Sequence, residues 1–266
     1  MARDALCLAD HPIPEGGGKG ILRGGGPDGD KEREREEEEG VRTVPVVRNI
    51  LEANQRLAEE NRKVFRDAGL FVINLMSGPG AGKTSLLERT IDGLRGQVRI
   101  GVIEGDIQST YDADRISRKG AQVVQLNTGG ACHLDGNMIK SALEPLDLAS
   151  LDLLVVENVG NLVCPAEFNL GEDMKVMVLS VAEGDDKPLK YPLMFQTSTV
   201  LLINKVDLLP YVDCDVKLMR ERALQLNGDL TIFEVSCRTG QGLAAWFQWL
   251  REQVAKRKAK GDGPKA

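Results

Sequence analysis

Leu70-Phe71-Val72-Ile73-Asn74-Leu75-Met76-Ser77-Gly78-Pro79-Gly80-Ala81-Gly82-Lys83-Thr84 is the stretch that sets the fold of this chain. Leu70–Met76 is a nearly unbroken apolar run, of a length that suits a strand buried on both faces. The Gly cluster after it leads into Thr84–Leu94, which reads as a helix. Strand, Gly-rich loop and helix in that order are the context of a phosphate-binding loop. Small residues let the backbone curl until its N–H groups converge on phosphate oxygens, and the helix N-terminus adds partial positive charge. Gly78, Gly80, Ala81, Gly82, Lys83, Thr84 and Ser85 are therefore candidate nucleotide-binding residues. Lys83 is placed to reach the β- and γ-phosphates and Thr84 to ligate Mg²⁺. The strict pattern wants Gly five positions before Gly82, where this chain has Ser77. Serine is small enough for that place if its φ is negative.

Outward from this stretch the pattern repeats. Val44–Asp67 reads as a helix, with Val47, Ile50, Leu51, Leu57, Val64 and Phe65 near helical spacing and Gly69 as its stop. Val98–Glu104, Ala121–Leu126, Leu151–Glu157, Val176–Val181, Ser198–Asn204 and Thr231–Ser236 read as strands. Asp112–Arg118, Met138–Leu146, Val216–Gln225 and Leu243–Lys256 read as helices. Strands alternating with helices predict an α/β fold: a doubly wound, mostly parallel sheet covered on both faces, as in P-loop NTPases. Ligands of such sheets bind at the carboxyl ends of the strands.

The chain carries a formal charge of −6, of which −5 lies in residues 1–40, leaving −1 for the rest. The acidity therefore belongs to a tail rather than to a functional face. That Gly-rich, then acidic segment buries too little apolar surface to offset its ordering entropy, so 1–42 is expected to be disordered. Residues 43–256 form the expected P-loop domain and 257–266 a basic flexible tail. No apolar run is long enough for a membrane span, and no secretory signal opens the chain. The five scattered cysteines suit a reducing compartment, so a cytoplasmic protein is expected. Neither a membrane nor a nucleic acid is an expected partner.

Asn204-Lys205-Val206-Asp207 follows an apolar run and so sits at a strand's carboxyl end. A carboxylate at Asp207 can accept from both guanine N1–H and the exocyclic amine, whereas adenine would leave it desolvated and unpaired. Lys205 can lie along the purine, Asn204 can brace the loop, and Ser236 and Cys237, after the next strand, can offer backbone N–H groups to guanine O6. The expected nucleotide is GTP, with GDP as product. Asp106, Asp112 and Glu157 follow or end strands near the phosphate loop and are candidates for Mg²⁺ contact or water positioning, Asp106 and Glu157 together with Lys83 being the candidate catalytic set. Asp112 equally suits a helix cap.

Cys132-His133 and Cys164 lie in loops that both follow strands and so emerge on the nucleotide face. Thiolate and imidazole suit Ni²⁺ or Zn²⁺ better than Mg²⁺, while a Cys-His pair alone is also compatible with a purely structural role. Three ligands do not complete a tetrahedral site, though two chains could pool theirs.

With these motifs together, roughly residues 44–255 resemble the HypB family, the nickel-insertion GTPases of [NiFe]-hydrogenase maturation. The distinctive stretches are Asn127-Thr128-Gly129 leading into Cys132-His133-Leu134-Asp135, and Glu157-Asn158-Val159-Gly160-Asn161-Leu162-Val163-Cys164-Pro165; Ser77–Thr84, Glu104–Ile107 and Asn204–Asp207 accompany them. The resemblance implies a GTPase that hands nickel towards a hydrogenase large subunit with an accessory protein, dimerises with GTP, and binds Ni²⁺ or Zn²⁺ through Cys132, His133 and Cys164. The N-terminus departs from it: Cys7 and His11 are too few for the Cys-x-x-Cys-Gly-Cys or His-rich motif of many members. A urease-maturation GTPase is the neighbouring alternative, but it typically reads Cys-Pro-His at the metal site. A metal carrier whose nucleotide only sets conformation is the alternative from another class.

Overall fold

The structure is a computed structural model and describes residues 46–106 and 111–261. The expected disordered segment 1–42 and the last residues of the chain lie outside the described residues. The elements run α1 (Val46–Asp67), β1 (Phe71–Ser77), α2 (Lys83–Gly93), β2 (Ile100–Asp106), α3 (Tyr111–Ser117), β3 (Gln122–Asn127), α4 (Gly136–Ala142), β4 (Leu153–Glu157) and α5 (Cys164–Glu167). They continue with β5 (Met174–Ser180), α6 (Lys187–Lys190), α7 (Pro192–Thr197), β6 (Val200–Asn204), α8 (Val216–Leu226), β7 (Thr231–Glu234) and α9 (Leu243–Gly261). The strands form one sheet in the order β3-β2-β4-β1-β5-β6-β7, with every pairing parallel.

Side-chain alternation along the strands divides the core. Phe71, Ile73, Leu75, Val155, Val178 and Leu202 face a single apolar layer roofed by Trp246 and Leu250 of α9 and Leu86 and Ile91 of α2. The opposite face carries two separate layers. Val72, Leu154 and Val156 meet Phe65 of α1 and Ile139 of α4, whereas Met177, Leu201 and Ile203 meet Phe195 of α7 and Met219 of α8. Asn74 of β1 stands between Val72 of one layer and Met76 of the other and is fully buried. A buried amide must be hydrogen-bonded, and Asn74 is joined to Asn158 and Glu172.

Three local readings differ from the sequence expectation. Among the described side chains of α1 the buried ones are Asn54, Ala58, Asn61 and Phe65, while Ile50 and Val64 are 51% and 41% exposed; two polar residues occupy the stripe that apolar spacing assigned to hydrophobes. The helix expected over Met138–Leu146 is α4, Gly136–Ala142, started by the Asp135 side chain accepting from the Met138 N–H. Helix α9 runs past Lys256 to Gly261, into the expected flexible tail. Ion pairs hold it there: Arg257 to Asp173, with its Nε donating to Leu70 O, and Lys258 to Asp152.

Candidate functional site

The phosphate loop leaves β1 at Ser77, the last strand residue, and turns through Gly80 and Gly82 at φ 74° and 100°. Those angles lie in the left-handed region, which glycine enters without a Cβ penalty. A Cβ on Gly82 would also lie 2.5 Å from Asn204 Nδ2. Lys205 is the one non-glycine residue with positive φ among the described residues, so Ser77 meets the condition for replacing Gly. Its hydroxyl accepts from Lys83 Nζ at 3.0 Å. Gly78 faces Glu183, whose Oε1 would lie 2.9 Å from an added Cβ.

A cavity of about 460 Å³ opens over the loop, with Lys83, Thr84, Glu104, Asp112, Arg115 and Glu157 in its wall. The Thr84 hydroxyl lies 2.8 Å from Glu157 Oε1, to which it donates, and 3.2 Å from Asp112 Oδ2. Glu157 is 3% exposed, and its Oε2 has no hydrogen-bond partner among the described residues. Burial pushes its pKa up to about 7, against the pull of Lys83 and the Thr84 hydroxyl. Burial likewise draws Lys83 below the ordinary lysine value, opposed by Glu157, Asp112, Glu104 and Glu183. A buried carboxylate with an unused oxygen, beside a hydroxyl and a second carboxylate, fits a hard divalent cation. Asp112 is tied on its other side to Arg115, which also pairs with Glu88. Asp106 ends β2 opposite Asn127; its side chain lies outside the described residues.

A second cavity of about 310 Å³ shares Gly82, Ser85 and Lys205 with the first and reaches Asn204, Asp207 and Cys237. Asp207 Oδ1 accepts from Ser236 Oγ at 2.6 Å, and Ser236 Oγ accepts from the Thr239 N–H. Asn204 braces two loops, donating to Ala81 O at 2.9 Å and accepting from the Cys237 N–H at 3.4 Å. Lys205 Nζ donates to Gly80 O at 2.7 Å, so its stem spans from the Asn204–Asp207 loop to the phosphate loop. Burial raises the Cys237 thiol to about 11, which keeps it neutral and leaves only its backbone to act. Arg89 fixes that backbone by donating to Cys237 O and Arg238 O.

Cys132, His133 and Cys164 come together with all their donor atoms within 4.8 Å of one another. Cys132 Sγ lies 3.1 Å from Cys164 Sγ and 3.6 Å from His133 Nδ1. The hydrogen bond shared with the Cys132 thiol, with burial adding to it, raises the pKa of Cys164, since both favour the neutral thiol. Cys164 opens the short helix α5 rather than sitting in an open loop. The His133 ring packs on Phe168 with centroids 3.8 Å apart.

One segment touches both sites. Glu157 meets Thr84; Gly160 packs against Pro79 of the phosphate loop, 3.2 Å from its Cα to an added Cβ; Asn161 donates to Cys132 O; Cys164 meets Cys132. Asn158 accepts from the N–H of Leu134, the residue after His133. The chemistry-bearing positions of this segment were visible in the sequence, and Asn158 and Asn161 lay inside a distinctive stretch without a role assigned to them; Glu183 and Phe168 carry no motif signal and emerge only from packing.

Residues 71–234 match the family model of the CobW/HypB/UreG nucleotide-binding domain. The chain is 50% identical over 212 residues to the hydrogenase maturation factor HypB of Azotobacter vinelandii, covering 80% of this chain and 70% of that protein. Against HypB of Escherichia coli K12 the identity is 48%, covering 80% and 73%. A solved structure of HypB from Helicobacter pylori in complex with nickel superposes with a TM-score of 0.74 at 38% identity, covering 77% of this chain and 97% of that one. HypB from Archaeoglobus fulgidus gives 0.72 at 41%, covering 76% and 99%.

Proposed function

This chain belongs to the CobW/HypB/UreG family, among its HypB proteins, and on that premise we propose that it is a GTP-hydrolysing metallochaperone for nickel in [NiFe]-hydrogenase maturation. The observation that carries the reading is the single segment Glu157–Cys164, which contacts the phosphate loop at one end and the Cys132–His133 pair at the other. A change in which phosphate occupies the loop is thereby passed to the metal donors through a short, packed connection.

Within this reading Asp207, held by Ser236, accepts from the two guanine donors, and Asn204 and Lys205 keep the base loop registered to the phosphate loop. Lys83 leaves Ser77 for the β- and γ-phosphates. Thr84, Glu157 and Asp112, together with Asp106, hold Mg²⁺, which when bound neutralises charge on the phosphate oxygens. In hydrolysis a water oxygen bonds to the γ-phosphorus while its bond to the β–γ bridging oxygen breaks. The bridging electron pair stays with GDP, and the water's proton leaves with phosphate or solvent. The chain's residues mainly position and neutralise, so turnover is slow until a partner or second copy completes the site.

Cys132, His133 and Cys164 take Ni²⁺ as cargo, with Zn²⁺ as the competing ion, since soft donors do not separate the two. A second copy of the chain, bound in the GTP state, supplies the missing donors. The cargo then passes to an accessory protein and the hydrogenase large subunit.

Linkage makes the proposal testable: the factor by which a GTP analogue changes Ni²⁺ affinity equals the factor by which Ni²⁺ changes analogue affinity. Ni²⁺ titration with GDP and then with a non-hydrolysable GTP analogue, following mass by light scattering, is expected to give a dimer only with the analogue and a changed metal affinity. Equal affinities in both states would remove the switch. Unchanged Ni²⁺ and Zn²⁺ binding in Cys132→Ala/His133→Ala would remove the metal site, and phosphate release that persists in Lys83→Ala would remove the enzyme.

A further inference from the structure

The two loops that carry the soft donors converge on one stretch of α1, Asn54–Arg62. From the first loop, three residues past His133, the Gly136 N–H donates to Asn54 Oδ1 at 2.7 Å and Gly136 O accepts from Asn61 Nδ2 at 2.8 Å. From the second, five residues past Cys164, Asn169 O accepts from Asn54 Nδ2 at 2.8 Å, and Leu170 O accepts from the same Asn61 amide at 3.2 Å. Each asparagine therefore bonds both loops. Arg62 adds a bond to Asn169 Oδ1.

The backbones also approach too closely for side chains to intervene. A Cβ on Gly136 would lie 2.9 Å from Leu57 Cβ and 3.1 Å from Ala58 N; one on Gly171 would lie 2.6 Å from Ala58 O. Both glycines thus rest on the same turn of α1, where Ala58 is fully buried. Asn61 is 1% exposed and Asn54 6%. Buried polar groups on a helix stripe cost more than apolar ones unless fully satisfied, and their best-attested use is to fix register. Here they fix the register of one ligand loop against the other.

We infer that α1 is the bracket of the metal centre, with Asn54 and Asn61 as positioning residues that set the separation of Cys132 and His133 from Cys164. The inference rests on the metal reading above and extends it to a helix that precedes the residues matched by the family model. Outer partners of ligands typically alter metal affinity about 10–100-fold without touching the ion.

The test uses the full-length chain with Asn61→Ala, Asn54→Ala and Asn54→Asp, beside wild type and Cys132→Ala. Asn54→Asp keeps the acceptor for the Gly136 N–H and loses the donor to Asn169 O, so it separates the loops without emptying the position; it also carries the test should Asn61→Ala fail to fold. Three quantities are read: Ni²⁺ affinity by chelator competition, the thiolate-to-nickel charge-transfer band, and, without metal, the rate at which diamide closes Cys132 onto Cys164, mapped by peptide mass. GDP affinity is the control for the fold. Expected are a loss of Ni²⁺ affinity of about 10–100-fold, a shifted band, slower disulfide closure, GDP affinity within twofold of wild type, and an intermediate effect for Asn54→Asp. Wild-type affinity, band and closure rate in the asparagine variants would overturn the bracket, while loss of Ni²⁺ binding in Cys132→Ala would leave the metal reading standing. Should Cys132→Ala bind Ni²⁺ like wild type, the metal reading fails alone, and the metal-free closure rate decides: slowed closure sustains the bracket, unchanged closure overturns it.

Discussion

The proposed phosphate and soft-metal sites sit side by side at the carboxyl ends of the strands yet are built in opposite ways. The phosphate loop is contiguous, Ser77–Thr84, and most of its shape comes from its own backbone, two left-handed glycines and a helix start, with Asn204 and Lys205 bracing Ala81 O and Gly80 O from outside. The metal site draws Cys132 and His133 from one loop and Cys164 from another, and its shape comes from elsewhere, through Asn158, Asn161 and the asparagines of α1. A site that carries its own geometry tolerates changes around it. A site assembled by distant brackets registers them, which is what a switch that reports on a neighbouring nucleotide needs.

The largest effect that would break this contrast comes from Lys83→Ala. Losing a preorganised cation at the transferred phosphate costs about 10²–10³-fold in rate, while Ni²⁺ affinity in the absence of nucleotide stays at the wild-type value. Phosphate-release kinetics and a nucleotide-free Ni²⁺ titration measure the two; a fall in metal affinity as large as the fall in rate would mean the sites are not built separately. Next comes Asp207→Ala. Two charge-assisted hydrogen bonds at about 1.5 kcal/mol each correspond to roughly 100-fold weaker GDP binding, with ADP little affected. Calorimetry that showed an unchanged GDP-over-ADP preference would transfer base recognition to another group.

The same contrast governs what the sequence could disclose. Unbroken apolar runs located the inner strands β1, β4 and β6 because those are buried on both faces, and Ser77–Thr84 and Asn204–Asp207 announced themselves because backbone and chemistry coincide in a few adjacent residues. The donors Cys132, His133 and Cys164 were legible as chemistry, but nothing in their spacing states that two thiols lie 3.1 Å apart. The brackets were the least legible. In α1 an apolar count favours Ile50 and Val64, which are exposed, over Asn54 and Asn61, which are buried, because those amides find partners only after residues 136, 169 and 170 arrive from far along the chain. The end of α9 was missed for a related reason: Arg257 and Lys258 read as a solvated tail until Asp173 and Asp152 stand beside them.

Glu157 sharpens the comparison through pH. In the nucleotide-free, metal-free chain its pKa is raised to about 7 from the ordinary glutamate value of 4.5. A raised carboxylate pKa means the native state holds a proton the unfolded chain has released. Its contribution is therefore fully present below the unfolded value and lost as pH rises through about 7. Glu157→Gln does not titrate, so denaturant melts should show the variant's stability relative to wild type improving from pH 5 to pH 8, by about 1–3 kcal/mol. Saturating Mg²⁺ and GDP should abolish that trend, because a cation beside the carboxylate keeps it ionised. A pH-independent difference would show that Glu157 is not the group whose charge the site must neutralise.

The smallest effect belongs to the position where the chain departs from the strict phosphate-loop pattern. Ser77 is the last residue of β1, is fully buried, and has negative φ, so nothing in its backbone calls for glycine. Its hydroxyl accepts from Lys83 Nζ, a bond that a lysine reaching for the nucleotide would not need. Ser77→Gly should therefore leave the hydrolysis rate within about threefold, since it touches no interaction made in the transition state, and lower stability by about 0.5–1 kcal/mol from added chain entropy at a strand end. Gly78→Ala is the contrasting substitution, because its Cβ would meet the Glu183 carboxylate at 2.9 Å, and Glu183 Oε2 already accepts from the Ser180 N–H. If paired melts and rate measurements found Ser77→Gly the more damaging of the two, the phosphate loop would depend on the serine hydroxyl, and its geometry would no longer be its own.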